Sequence, residues 1–374
     1  MLKKMKSRRK GQSWLTWVIL IAAGASAAIV TILVLEPLIQ TRAATQPADR
    51  TTPRIRAVTP PPPPPPPFHG LVYPTPQDKL LSHDGTGVFQ PTASGRAESG
   101  RYGSVRTGKF HEGIDIAATQ RDRRSRPLDP VRAVAAGVVG HVSRAPGNSN
   151  YGIYVVLIHD DPIGEVYTLY AHLAEATAGL SAGQRVEAGQ VLGRMGSTPA
   201  SIIPVSRGHL HFEMGLIANS RFRQWFLGKR LKPDHGIYNG WNLLAIDPLG
   251  VFAAHRLDNN FSFREHIRSL PKAFEMAVAT PAQLDFFRRY PSLWEGEAFS
   301  NGVMVICCTA NGVPLSGRNA TEKEGSALAG KKACVLSVDT EALGANGLHI
   351  ITRDGKNGWK PGKNSGQWLE ILTY

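Results

Sequence analysis

Gly208-His209-Leu210-His211-Phe212-Glu213-Met214 is the stretch on which the reading of this chain turns. Its alternation has period two, so a β-strand would place His209, His211 and Glu213 on one face and Leu210, Phe212 and Met214 on the other. Two imidazoles at i and i+2 can address the same ion from one side. Burying them together without a partner is costly, and a metal relieves that cost.

Two upstream segments share this chemistry. In Phe110-His111-Glu112-Gly113-Ile114-Asp115-Ile116, a His and an Asp are separated by three residues, and Ile114 and Ile116 mark a strand beginning near Asp115. Gly113 between them is read as letting the backbone turn until both side chains converge. In Glu165-Val166-Tyr167-Thr168-Leu169-Tyr170-Ala171-His172-Leu173, β-branched and aromatic residues indicate another strand. Alternation there predicts Thr168, Tyr170 and His172 on one face and Leu169, Ala171 and Leu173 on the other. The other eight of the twelve histidines (His69, His83, His141, His159, His235, His255, His266 and His349) stand alone and read as surface or satisfied buried imidazoles.

Three N/O ligands with an open position form the arrangement of a catalytic zinc. His111, Asp115 and one of His209 and His211 would supply it. The remaining imidazoles, His172 among them, are then left for acid/base work or for stabilising an oxyanion. Glu112 and Glu213 are candidate outer partners of the ligand imidazoles, with Glu112 read as solvated.

His-x-Gly-x-Asp, Tyr-x-His-Leu and His-Leu-His-Phe-Glu, in this order, resemble the lysostaphin/LytM-type zinc metallopeptidases, which cleave peptide bonds of bacterial peptidoglycan. The likeness extends to Ser99–Arg106, Val134–Val139, Tyr151–Val156 and the glycine-punctuated turns at 182–198, and covers residues 89 to 250. It implies one zinc per chain held by His111, Asp115 and His211, and His172 and His209 as catalytic histidines. It also implies an antiparallel β peptidase domain (a duplicated hybrid motif) with the site in an open groove. One departure is the stretch Thr198–Arg207, longer and more apolar than the family's short polar segment, which bears on groove shape and substrate choice. All five chemical positions are filled, whereas the family's inert regulators have lost ligands.

The chain has 374 residues, 42% hydrophobic and 19% charged, which describes a globular protein of two or three domains. Three cysteines exclude a disulfide scaffold. The net charge is +14, but residues 1–56 carry ten Lys or Arg against Glu36 and Asp49, so +8 of it lies at the terminus. That is not the clustered basic face that nucleic-acid binding requires. The cluster Lys3–Lys10 precedes the uncharged run Trp14–Leu35, whose 22 residues reach ~33 Å as a helix, close to a bilayer's ~30 Å. The expectation is a single-pass inner-membrane protein with its basic tail in the cytoplasm and its catalytic domain in the periplasm or outside the membrane. Cleavage near Ala43 or Ala44 is the alternative. Eight prolines, Pro60–Pro67, then form a polyproline II spacer.

The expected organisation is therefore a basic tail and transmembrane helix at 1–40, a Pro-rich linker at 41–88, the zinc peptidase domain at 89–252 and a small α+β domain at 253–374. In the last, apolar runs at 274–278, 303–308, 334–338 and 348–352 suggest strands, and 281–290 a helix entered through Pro281. Its role is open, a wall-binding or protein-partner module among the choices. Cys307 and Cys308 read as buried small hydrophobes, with a bridge to Cys334 as a hypothesis. Three functions follow: a zinc endopeptidase acting on peptidoglycan, a non-catalytic LytM-like regulator that activates another wall hydrolase, and a zinc peptidase acting on an exported protein.

Overall fold

A computed structural model describes residue 68 and residues 70–374, apart from 93–94, 107–108, 200, 202, 233–234, 259, 346 and 357. The described residues belong to one compact unit. The Lys3–Lys10 cluster, the Trp14–Leu35 run and the prolines 60–67 lie outside them.

Among the described residues eleven strands precede residue 248: β1 (Val105–Arg106), β2 (Lys109–Phe110), β3 (Ile114–Ala117), β4 (Pro130–Arg132), β5 (Gly137–Ser143), β6 (Ile153–Asp161), β7 (Gly164–Ala176), β8 (Arg185–Val186), β9 (Val191–Met195), β10 (His209–Ile217) and β11 (Leu243–Ile246). β1 and β2 form a separate antiparallel hairpin. The other nine form one antiparallel sheet along the path β11-β10-β7-β6-β5-β8, with β3 joined to β10 and β9 joined to β4 and β7. β10 is the axis of this sheet. It pairs β7 along one edge, and β3 then β11 along the other. All nine of its residues are buried, as expected of a strand covered on both faces.

The chain then turns to helix. Asp247 caps Pro248–Leu257 by accepting a hydrogen bond from Leu249 N, with proline at the favoured first position. A second sheet follows, from β12 (Phe274–Ala279), β13 (Trp294–Glu295), β14 (Val303–Cys308), β15 (Pro314–Asn319) and β16 (Ala333–Val338), in the order β13-β15-β14-β12-β16. The hairpin β17 (Ile351–Asp354) and β18 (Gly358–Pro361) and the helix Ser365–Thr373 close the chain. The fold is mainly β, as expected. One buried apolar cluster runs from Ile114, Leu210, Phe212 and Met214 of the first sheet to Met276, Ile306 and Leu315 of the second.

Several expectations are corrected. Among the described residues no helix is long and apolar enough to cross a membrane. The longest, Pro248–Leu257, has ten residues and reaches only ~15 Å against a ~30 Å hydrocarbon layer. The single-pass inner-membrane localisation is withdrawn accordingly. The helix expected from Pro281 begins at Asp285, because the Thr280 hydroxyl bonds both Ala282 O and Ala282 N and holds a turn there. All three cysteines are free. β12 lies between β14, which carries Cys307 and Cys308, and β16, which carries Cys334. Two strand spacings of ~4.8 Å exceed the ~7 Å limit for a bridge.

Candidate metal centre

Register brings the ligand types together. His211 on β10 stands opposite Asp115 on β3 and opposite Ala171 on β7, and directly opposed residues share a face. Leu210, Phe212 and Met214 point into the main core, so His209, His211 and Glu213 occupy the other face as the alternation predicts. His111 enters from the loop before β3. Gly113 helps by close approach rather than by a tight turn, since a Cβ there would lie 2.4 Å from Phe212 O.

Asp115 Oδ1 lies 2.9 Å from His211 Nδ1, 3.1 Å from His111 Nε2 and 3.4 Å from His209 Nε2. His111 Nε2 and His211 Nδ1 are 3.2 Å apart. One donor atom from each of His111, Asp115 and His211 falls within 4.8 Å of the others. These side chains are at least nine-tenths buried. One carboxylate oxygen cannot serve three imidazole nitrogens with two lone pairs. A buried cluster of surplus N and O donors gathered at one point fits a borderline cation such as zinc.

His172 departs from its predicted face. Its backbone is left-handed, φ +63°, which interrupts the alternation of β7. Tyr170 and Leu173 both enter the main core, whereas Leu169 and Ala171 face the smaller cluster behind the site. The His172 ring therefore swings to the β10 histidines, with centroids 5.0 Å from His209 and 5.5 Å from His211. The residue sits in a sparsely populated region for a side chain with a Cβ, which marks local strain. His172 N–H donates to Tyr151 O at 2.9 Å and so fixes that conformation.

Each imidazole is held by its far nitrogen. Nδ1 of His172 faces Tyr151 O at 3.3 Å, and Nδ1 of His209 faces Arg207 O at 2.8 Å. Nδ1–H donation to these carbonyls leaves both Nε2 atoms as acceptors on the site side. His111 Nδ1 is likewise 2.9 Å from Arg101 O, which leaves its Nε2 lone pair toward Asp115. His211 is reversed. Its Nε2 donates to Glu213 Oε1 at 2.8 Å, so Nδ1 is the atom that faces the cluster. Glu213 also accepts from Tyr167 O–H at 3.1 Å and is 1% exposed.

Burial sets the charge balance. It pushes His111 down and, with His209 and His211 alongside, holds His172 well below its ordinary value. Burial also opposes charge on His211, but hydrogen bonds to Asp115 and Glu213 outweigh it and raise that group to about 10. It works against an ionised Asp115 too, yet His209 and His111 keep the carboxyl well below its usual range. Glu112 is half-buried rather than solvated, and burial with Glu213 nearby raises it to about 7.

Arg106 is the participant that sequence reasoning missed. From the β1–β2 hairpin its Nη1 reaches Asp115 Oδ2 at 2.8 Å, its Nη2 lies 2.9 Å from His111 Nδ1, and its Nε donates to Ser99 O at 2.6 Å. Tyr167, the partner of Glu213, was missed as well. Neither carries a periodic signature, because each acts through contacts distant in sequence or across a short hairpin.

The sheet gathers His111, Asp115 and His211 as a group that could hold a metal ion, with His172 and His209 beside it. The likeness read from the histidine motifs is borne out, since residues 109–222 match the sequence model of peptidase family M23. Among solved structures, the chain is similar to a zinc containing peptidase from Vibrio cholerae at 28% identity, over 28% of this chain and 26% of that one, with a TM-score of 0.22. It is similar to a mutant catalytic domain of the prophage-encoded M23 protein EnpA from Enterococcus faecalis at 27% identity, over 30% and 75% of the two chains, with a TM-score of 0.24. The catalytic domain of the antimicrobial peptidase lysostaphin from Staphylococcus simulans matches at 22% identity, over 40% and 86%, with a TM-score of 0.25. The match thus spans about a quarter of the Vibrio cholerae chain. No curated protein matches the chain.

Proposed function

We propose that this protein is a zinc metalloendopeptidase that hydrolyses peptide bonds of bacterial peptidoglycan, with residues 89–252 as its peptidase domain. The observation that carries this reading is the convergence of His111 Nε2, Asp115 Oδ1 and His211 Nδ1 beside His209, whose Nε2 lies 3.4 Å from Asp115 Oδ1, and the His172 ring, 5.5 Å from that of His211. One zinc per chain would be held by those three atoms. When bound, zinc supplies Lewis acidity, polarising a carbonyl and making a water nucleophilic at neutral pH.

The chain's own residues do the rest. His172, kept neutral by burial and oriented by Tyr151 O, accepts the proton of the attacking water at Nε2. The same proton then passes to the leaving amine nitrogen, which restores the neutral ring. His209, fixed by Arg207 O, presents Nε2 on the side where the carbonyl oxygen gains charge and, when protonated there, donates to it. Arg106 and Glu213 hold Asp115 and His211 in place. The burial of all five side chains excludes bulk water from the proton path.

The M23 match of residues 109–222 supports peptidoglycan as the substrate class. The test is incubation of the purified protein with peptidoglycan sacculi, with and without chelator, reading new amino termini. Chelator-sensitive release supports the proposal. Bound zinc with intact sacculi contradicts it and turns the assignment toward a regulator or a protein substrate.

A further inference from the structure

We propose that Arg106 is a positioning residue that fixes Asp115 as a one-oxygen ligand, an inference that rests on the metal reading above. The Asp115 carboxylate has two oxygens with different surroundings. Oδ1 faces the imidazoles of His111, His209 and His211, and Oδ2 is taken by Arg106 Nη1 at 2.8 Å. With Oδ2 occupied, the carboxylate cannot turn to offer both oxygens to one cation. The coordination number stays low, and the open position needed for water and substrate is preserved.

Arg106 is itself held on two sides. Its Nε donates to Ser99 O at 2.6 Å, and its strand is the short hairpin β1–β2, where Arg106 pairs with Lys109. Gly347, from the C-terminal part of the chain, packs against this hairpin so closely that a Cβ would lie 3.0 Å from Val105 Cγ2 and 3.3 Å from Phe110 Cβ. A guanidinium suits the task because its planar fork offers Nη1–H to the carboxylate while Nε–H stays engaged with Ser99 O.

The alternative role is electrostatic only. A cation beside a metal ligand repels the metal, so removing charge alone would tighten binding. Positioning makes the opposite prediction, and it also predicts that lysine cannot substitute. Zinc affinity by chelator competition, and the visible absorption of the cobalt(II)-substituted protein, should be measured for the full chain and for Arg106→Lys and Arg106→Met. The expected result is a loss of affinity of roughly 10- to 100-fold in both variants, the range for an outer partner of a metal ligand. The cobalt band should weaken in both as Asp115 supplies its second oxygen and the coordination number rises. Far-UV circular dichroism identifies any variant that has failed to fold, and the lysine variant, which keeps the charge, is the decisive one.

Unchanged affinity and spectrum in a folded Arg106→Lys protein would overturn the proposal, as would tighter zinc binding in Arg106→Met. A wild-type protein that takes up neither zinc nor cobalt would overturn the metal reading and this proposal with it. A wild-type protein that binds one ion, with variants that match it, would remove the Arg106 role alone.

Discussion

His211 and Glu213 lie on one face of one strand, with Nε2 donating to Oε1 at 2.8 Å, and this single bond decides which nitrogen of His211 faces Asp115. Glu213→Ala frees the ring and leaves Tyr167 O–H without its buried acceptor. Zinc affinity should fall by ~10- to 100-fold. Stability should fall by ~1–3 kcal/mol for the unpaired hydroxyl. Chelator competition and urea unfolding read the two effects separately.

His172 tests chemistry and backbone strain at once. His172→Asn should keep zinc and the fold but lose turnover by ~10²- to 10⁴-fold, the usual contribution of a positioned base. Asparagine tolerates the left-handed backbone that this position needs, whereas valine does not. His172→Val should therefore lose the same activity and, in addition, ~1–3 kcal/mol of stability. Equal melting temperatures for the two variants would contradict the strain argument.

Gly113 sits where β3 meets β10. Gly113→Ala places a methyl group 2.4 Å from Phe212 O, so the strands must separate. The expected cost is ~1–3 kcal/mol, together with weaker zinc binding as Asp115 moves from His211. Calorimetry of the zinc-free and zinc-loaded protein should show a smaller metal-induced rise in Tm than for wild type.

Away from the site, His159 gives a pH signature. It is fully buried, its Nδ1 faces Ala136 O at 2.8 Å and its Nε2 faces Thr168 Oγ1 at 2.8 Å. Burial lowers its pKa from 6.5 to about 4 in the folded protein. The unfolded chain therefore binds more protons than the native one between those values, and stability rises with pH across that window. The contribution is fully present above pH ~6.5 and lost as pH falls toward 4, with a total on the order of 3 kcal/mol. His159→Gln should flatten the slope of unfolding free energy between pH 4 and 6.5 without affecting zinc binding.

Much of the site was legible because it is written in strands. The alternation of 208–214 depends on a two-residue period that the sequence displays directly, and Asp115 lies between Ile114 and Ile116 on such a strand. The face of His172 was not legible, since one left-handed residue reverses the parity and leaves no trace in the pattern of apolar residues. Arg106 was invisible for a different reason. Its partners are set by how the β1–β2 hairpin packs, which is a tertiary property. Gly113 was identified as necessary, but its reason is the approach of β10 one hundred residues on. In the C-terminal part each of the four apolar runs falls wholly or partly on a strand, but Thr280 rather than Pro281 fixed where the helix at 285–289 begins.

The most direct test of the account measures zinc and hydrolysis together. The purified protein and its His211→Ala variant would be assayed for zinc per chain and for amino termini released from peptidoglycan sacculi, with and without chelator. The account predicts one zinc per wild-type chain, release that chelator abolishes and added zinc restores, and neither metal nor release in the variant. Release that persists in the variant, or in chelator, would contradict it.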